Sequence, residues 1–498
     1  MKHFSRSLVW LTASEIIFNI AAYVVHSVVG RILGPADYGR YGLVVTLTTM
    51  VIVLIGNGLP TAMSKYLSEV LEKAPETIHA IKKKTALLQA SLIGLVTGIF
   101  FLLAPGIAFI LKDDSLTPLF RLSALIIPTF AAASFYHYYL IGLHLFRLQA
   151  IIKIIRSIAR VGFIALTAIY FGLDGAIAGY ILAPLFTFLA VIIIDEFYIK
   201  RRLGIGRRAE TNNVPFPAKT LLLYAGPLTL FLIFYELLLT LDLYFVKALL
   251  QDDHLTGLYN AAITVGRIPY YLFAALAMIL LPAISKTTAE RNNTETKSLV
   301  ERSLRLLALI LFPLVTLLSV YASEILHLFY GNRYDGAAAA MQVFTIGVGF
   351  LTVFYVLAFA LNGAGRVKIP LWLSCAGFIG MLVLNFLPIP SFGIVRAALA
   401  TTIVSGFLML GILIYTEIHF HAKLSLRLIL ISLASAIGMA LLAVHVLPHG
   451  RWGFIFSGVF LTALYYGVLR ITHELTDDDI APLLKLSRKR DSITQKIS

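Results

Sequence analysis

Lys153, Arg156 and Arg160 stand at spacings of three and four in the run IIKIIRSIAR, whose other positions are nearly all apolar. On a helix those spacings bring the three cations to one face. A cationic stripe on an apolar helix suits a phosphate-bearing ligand: guanidinium groups grip phosphate oxygens through paired N–H donors, and an ammonium adds a point charge. The competing reading is that Lys153, and with it Arg156, extends an aliphatic stem to a membrane surface. Arg267 lies about two turns into another apolar run, just before Pro269. That is beyond comfortable reach of a membrane surface, so it offers a second positive site or pairs with a carboxylate such as Asp242.

Four further polar residues interrupt apolar runs. Glu15 and Asn19 are one turn apart, and Glu236 and Asp242 share a later run. A carboxylate buried in a membrane can bind a coupling cation, Na+ or H+, or can brace an arginine. The aromatic run Phe135, Tyr136, His137, Tyr138 and Tyr139, with Tyr270 and Tyr271, could stack on sugar rings; packing and interfacial anchoring are the commoner uses. No phosphate-binding loop with its lysine, no HExxH and no nucleophile elbow is present, so an enzyme and an ATP site are not expected.

The elements that must position these residues are membrane helices. The 498 residues are 59% hydrophobic and 13% charged, with mean hydropathy +0.87. Apolar runs near 8–32, 41–63, 85–111, 119–145, 151–171, 175–198, 219–245, 259–283, 304–328, 338–361, 367–388, 393–418, 425–446 and 452–471 are long enough to cross a bilayer. Backbone polar groups find no water in lipid, so these runs must be helices. The expectation is an all-α polytopic membrane protein with about fourteen spans. Glu15 and Asn19 argue against a cleaved leader in the first run. Cys375, the single cysteine, excludes a disulfide within the chain.

The chain also repeats itself. Pro60, Ser64 and Lys65 recur as Pro282, Ser285 and Lys286, Gly142 as Gly363 and Gly172 as Gly393, at offsets of 221 or 222. Gly39 and Tyr41 pair with Gly257 and Tyr259 at 218, and Glu15 falls on Glu236 at 221. A constant offset across several loops implies tandem duplication. Six spans per copy give both copies the same orientation. The expected organisation is a first lobe at 1–198, a polar linker at 199–218, a second lobe at 219–418, two extra helices within 419–471 and a charged tail at 472–498.

Net charge +15 is chiefly a topology signal rather than a nucleic-acid footprint. With the first residue on the inner side, Lys65, Lys82, Lys83, Lys84, Arg201, Arg202, Arg207, Arg208, Lys286, Arg291 and the cluster Arg488, Lys489, Arg490 share that side. The other side holds mainly Arg31, Arg40, Lys112, Arg333 and Arg451. This asymmetry places both termini in the cytoplasm of a cytoplasmic-membrane protein.

GRILGPADYGRYGLVVTL with GLPTAMSKYLSE, LDLYFVKALLQDDHLTGLYNAAITVGRIPYYLFAALAMILLPAISK and LNFLPIPSFGIVRAALATTIVSG resemble the polysaccharide transporters, Wzx-type flippases of the multidrug/oligosaccharidyl-lipid/polysaccharide superfamily. Two positions depart from that pattern: Leu243 follows Asp242 where relatives often carry arginine, and Arg396 takes a small-residue place in a GxxGAA-like turn. The resemblance implies two MATE-like six-helix lobes and export, by alternating access, of a polyprenyl-diphosphate-linked oligosaccharide through a cationic cleft. The bilayer, polysaccharide polymerases and glycosyltransferases are the partners it implies, with no cofactor beyond a coupling ion. The alternatives are a cation-coupled multidrug exporter of the same fold, which an arginine-rich cleft disfavours, and a membrane-embedded glycosyltransferase or ligase, which the short outer loops disfavour.

Overall fold

The computed structural model describes residues 2–55, 58–71, 74–199, 218–386, 393–423, 425–446, 450, 453–476 and 479. The expected linker 199–218 and tail 472–498 fall almost wholly outside these residues, as do Arg201, Arg202, Arg207, Arg208 and the cluster at 488–490. Among the described residues every regular element is helical, which makes this an all-α polytopic membrane protein. The helices are α1 Lys2–Ile55, α2 Gly58–Val70, α3 Ile78–Ile110, α4 Leu116–Ser123, α5 Ile126–Gly142, α6 Phe146–Ile194, α7 Ala218–Leu250 and α8 Asp253–Gly266. There follow α9 Ile268–Ala289, α10 Asn293–Val320, α11 Ala322–Tyr330, α12 Ala338–Gly363, α13 Lys368–Phe386, α14 Gly393–Phe420, α15 Leu426–His445 and α16 Gly453–Ile471.

Eleven stretches of the described residues are long and apolar enough to cross a membrane, against fourteen expected runs. Of the three missing, one is the run 219–245 on α7, which is not among the eleven, and the other two have a local cause. The runs 8–32 and 41–63 lie largely on the single element α1, and 151–171 and 175–198 on α6 and the short π-helical turn Asp195–Ile199. Each of these long helices folds back at a glycine. Gly34 takes φ +76° and Gly172 φ +58°, a region open to glycine at little cost. In α1 the rings of His26 and Tyr41 approach to 6.3 Å, whereas fifteen residues of straight helix would span about 22 Å. In α6 Phe163 and Phe186 meet at 5.8 Å. The two arms of α6 touch through glycine: a Cβ on Gly175 would overlap the carbonyl oxygen of Thr167, and one on Gly179 would sit 2.6 Å from the Ile164 Cα. Small residues let helix backbones approach in a bilayer, where no hydrophobic force drives them together.

Two other boundaries moved. The run at 259–283 is split at Arg267, because Pro269 cannot donate a backbone hydrogen bond and so starts a new helix, α9. The run at 304–328 is preceded by three further turns of α10. They begin where Asn292 accepts the Glu295 backbone N–H at 3.1 Å, a cap that apolar content alone does not register.

The chain divides into two compact units. The first holds Met1–Thr264, Tyr330–Tyr334 and Met381–Ala397; the second holds Val265–Phe329, Asp335–Gly380 and Ala398–Ser498. In the first, Met63, Leu67, Ile78, Phe135, Tyr139 and Leu140 form a core that joins α2, α3 and α5. In the second, α12 is apolar all round and buried along most of its length. There α15 and α16 pack on α10 through Leu309, Leu428, Met439, Leu461 and Tyr465.

The 221-residue offset reappears as geometry. A Cβ on Gly142 would lie 2.9 Å from the Ser64 Cα, and one on Gly363 2.6 Å from the Leu281 carbonyl oxygen and 3.1 Å from the Ile284 Cβ. Both glycines therefore press a helix end against the helix that carries the repeated serine and lysine. Lys65–Glu69 and Lys286–Glu290 form matching surface pairs at 3.8 and 3.9 Å. Gly172 and its counterpart Gly393 both take positive φ.

Candidate functional site

The first arm of α6 carries Lys153, Arg156 and Arg160, and the structure places all three against one ring of α1. Phe18 lies 5.0 Å from the Lys153 ammonium, 5.4 Å from the Arg156 guanidinium and 4.5 Å from that of Arg160. Arg156 also sits 4.7 Å from the Phe130 ring of α5. A cation over an aromatic face is stabilised by the ring quadrupole and spends none of its N–H donors on the contact. Arg160 is 8% exposed. It donates one hydrogen bond, to the Phe18 carbonyl oxygen at 3.2 Å, while its Nε stays buried with no hydrogen-bond partner. Lys153 forms an ion pair with Glu15. That pair sets one negative charge against the stripe's three positive ones. The apolar helices therefore hold a surplus of two positive charges with donors to spare, an arrangement chemically suited to a dianionic ligand.

The remaining expected residues are dispersed. Asn19 is exposed one turn beyond Glu15. On α7, Glu236 is half-buried, while Asp242 is wholly buried and accepts the Tyr259 hydroxyl at 2.6 Å and the Leu243 backbone N–H at 2.9 Å. Arg267 stands at the position just before α9 and belongs to the second unit. Arg396 donates to the Asn385 carbonyl oxygen at 2.8 Å, linking the ends of α13 and α14. Tyr136 and Tyr139 flank Lys82, 4.6 and 4.4 Å from its ammonium, and Lys82 pairs with the buried Asp195. Those two aromatics thus pack on an ion pair.

The sequence reading missed two features. Phe18 carried no signal of its own: it is one phenylalanine among 33. The second is a network at the helix ends. Lys247, at the end of α7, donates to Asp113 at 2.7 Å and pairs with Asp253, while Arg40 stands 3.4 Å from Asp253 and 3.8 Å from Asp113. Burial opposes ionisation of Asp113, but hydrogen bonds from Lys247 and Ser115 outweigh it and hold the carboxyl below its ordinary range. Close by, the repeat counterparts Gly39 and Gly257 touch: a Cβ on Gly39 would lie 2.6 Å from the Gly257 backbone nitrogen.

The sequence profile of the polysaccharide biosynthesis protein family matches residues 4–288, more than half the chain. The chain belongs to that family. A second profile, MatE, matches 227–387. Stage V sporulation protein B of Bacillus subtilis is 25% identical over 442 residues, covering 82% of each chain. A candidate O-antigen transporter of Shigella flexneri is 24% identical over 417 residues, covering 78% of this chain and 93% of its own. Among solved structures, the lipid II flippase MurJ in an inward closed conformation superposes with a TM-score of 0.69 at 15% identity, covering 94% of this chain and 99% of its own. An inward-facing MATE family transporter of the MOP superfamily gives 0.67 at 12% identity, covering 83% of this chain and 98% of its own. At such identities the likeness is one of fold.

Proposed function

We propose that this member of the family moves a polyprenyl-diphosphate-linked oligosaccharide across the cytoplasmic membrane by alternating access, with both termini cytoplasmic. The observation that carries the reading is the stripe of Lys153, Arg156 and Arg160 on Phe18, with the buried donor of Arg160 left open. A diphosphate brings two negative charges to a surplus of two positive ones. The family match and the glycan-related names of relatives such as the O-antigen transporter support the same substrate class. In this reading 1–198 and 219–418 are the two lobes, 199–218 the linker, 419–471 two added helices and 472–498 a cytoplasmic tail. Arg267 is, by its charge within an apolar run, a phosphate-binding candidate in its own right. Glu15 with Asn19, and Glu236 or Asp242, are the carboxylate sites for Na+ or H+ coupling. Glycosyltransferases would act before the transfer and polymerases after it. Multidrug export is the lesser reading, since a cationic drug would be repelled by the stripe.

The test is transport of a diphosphate-linked glycan in proteoliposomes by Arg156→Ala, Arg160→Ala, Lys153→Ala and Arg267→Ala. A charge-assisted contact contributes about 1.5–3 kcal/mol, so each loss should weaken substrate binding by about 10- to 150-fold. Arg160→Lys should restore part of the activity, because charge survives and the paired donors do not. Normal transport by all four alanine variants at normal protein level would overturn the reading.

A further inference from the structure

The stripe already contains an anion of the protein's own. Glu15 pairs with Lys153, yet the two partners differ: the Glu15 side chain is 59% exposed and that of Lys153 only 11%. The cation is held in place, with Phe18 beneath it and Arg156 and Arg160 on the following turns. The anion reaches it from outside. Glu15 and Phe18 also lie on one helix at a spacing of three, so the residue that neutralises the stripe and the residue that organises it move together.

Building on the proposed substrate class, we infer that Glu15 is an internal counter-anion that the substrate's phosphate displaces from Lys153, and that it sets the preference for a diphosphate over a monophosphate. Displacing Glu15 frees the third positive charge of the stripe for the ligand; a diphosphate, with two negative charges, gains more from it than a monophosphate with one, which displaces Glu15 less readily. Phe18 makes the exchange workable. All three cations lie over its ring, a contact that uses none of their N–H donors, and Arg160 spends one on the Phe18 carbonyl oxygen, so further donors are left for whichever anion is present. Neutralising Glu15 raises the surplus to three. Every phosphate then binds more tightly, and the discrimination against one charge fades.

The experiment measures binding of a sugar-linked geranylgeranyl diphosphate and a sugar-linked geranylgeranyl monophosphate, diesters that carry two negative charges and one, to the full chain in one detergent, for the wild type, Glu15→Gln, Lys153→Met and the double variant. An ion pair this exposed competes by only about 0.2–1 kcal/mol, so Glu15→Gln should tighten both ligands about 1.4- to 5-fold, the monophosphate more. In the Lys153→Met background Glu15→Gln should have no effect, since the two residues act through one contact. Unchanged or weaker binding by a folded Glu15→Gln, or an equal effect in both backgrounds, overturns the inference. Should Glu15→Gln fail to fold, Glu15→Asp, whose shorter arm reaches Lys153 less well, should give a smaller gain of the same sign; no gain overturns it too. Failure here is separable from failure of the substrate reading. If Arg160→Ala binds the diphosphate as the wild type does, the site itself is misread. If Arg160→Ala loses binding and Glu15→Gln is silent, only the counter-anion role falls.

Discussion

Replacing Lys247 by methionine removes the one ammonium that joins Asp113, between α3 and α4, to Asp253 at the start of α8. Methionine keeps the length and apolar stem, so the change is chiefly one of charge. Removing one partner from a fully buried ion pair costs about 3–5 kcal/mol, because the other charge stays buried and unpaired. Here Asp113 and Asp253 keep 16% and 29% of their side-chain surface, and Arg40 remains 3.8 and 3.4 Å away. Partial solvation and the second cation should roughly halve the penalty, to about 2 kcal/mol at neutral pH. The pH dependence follows from the lowered pKa of Asp113. The unfolded chain protonates this carboxyl more readily than the folded one. Its contribution is therefore complete above the ordinary carboxylate value of about 4 and is lost as pH falls through the lower folded value. Thermal unfolding of the purified protein in one detergent, followed by fluorescence between pH 7 and pH 3, reads both effects. Lys247→Met should melt well below the wild type at pH 7, with the gap constant to about pH 5 and narrowing beneath pH 4. Adding Asp113→Asn should recover part of the loss by removing the stranded charge. Equal melting at pH 7, or a gap that does not change with pH, would refute the account.

Three further outcomes are expected. Gly175→Ala forces a Cβ into the Thr167 carbonyl and should cost at least about 1–3 kcal/mol, whereas Gly162→Ala on the same helix, with open space around it, should leave size-exclusion profiles unchanged. Tyr259→Phe strips Asp242 of a buried donor and should destabilise by about 1–3 kcal/mol; if Asp242 exchanges a proton or Na+, Asp242→Asn should abolish gradient dependence in proteoliposomes, while a purely structural carboxylate would instead lose folded yield. Arg305→Ala breaks the contact that ties Asp479 to α10 at 2.8 Å; because both partners are partly exposed, melting should shift by less than about 1 kcal/mol while limited proteolysis beyond Ile471 accelerates.

What the sequence determined by itself is whatever depends on short range or on repetition. Apolar length requires helices in lipid, because a backbone without water must satisfy itself. Spacings of three and four put Lys153, Arg156 and Arg160 on one face before any partner is known. The 221-residue offset matched Gly142 with Gly363, and in the structure both press on the helix carrying the repeated serine and lysine. Tertiary structure decided which ring the stripe would face, and no spacing points to Phe18, 142 residues before Arg160. It also decided that Lys247 would answer Asp113 across 134 residues; each alone reads as an ordinary charge at the end of a span. The reason is physical. Helical periodicity is a property of the local backbone, while an ion pair or a cation over a ring exists only once packing has brought distant helices within a few ångströms, and in a bilayer that approach is set by where small residues let backbones touch.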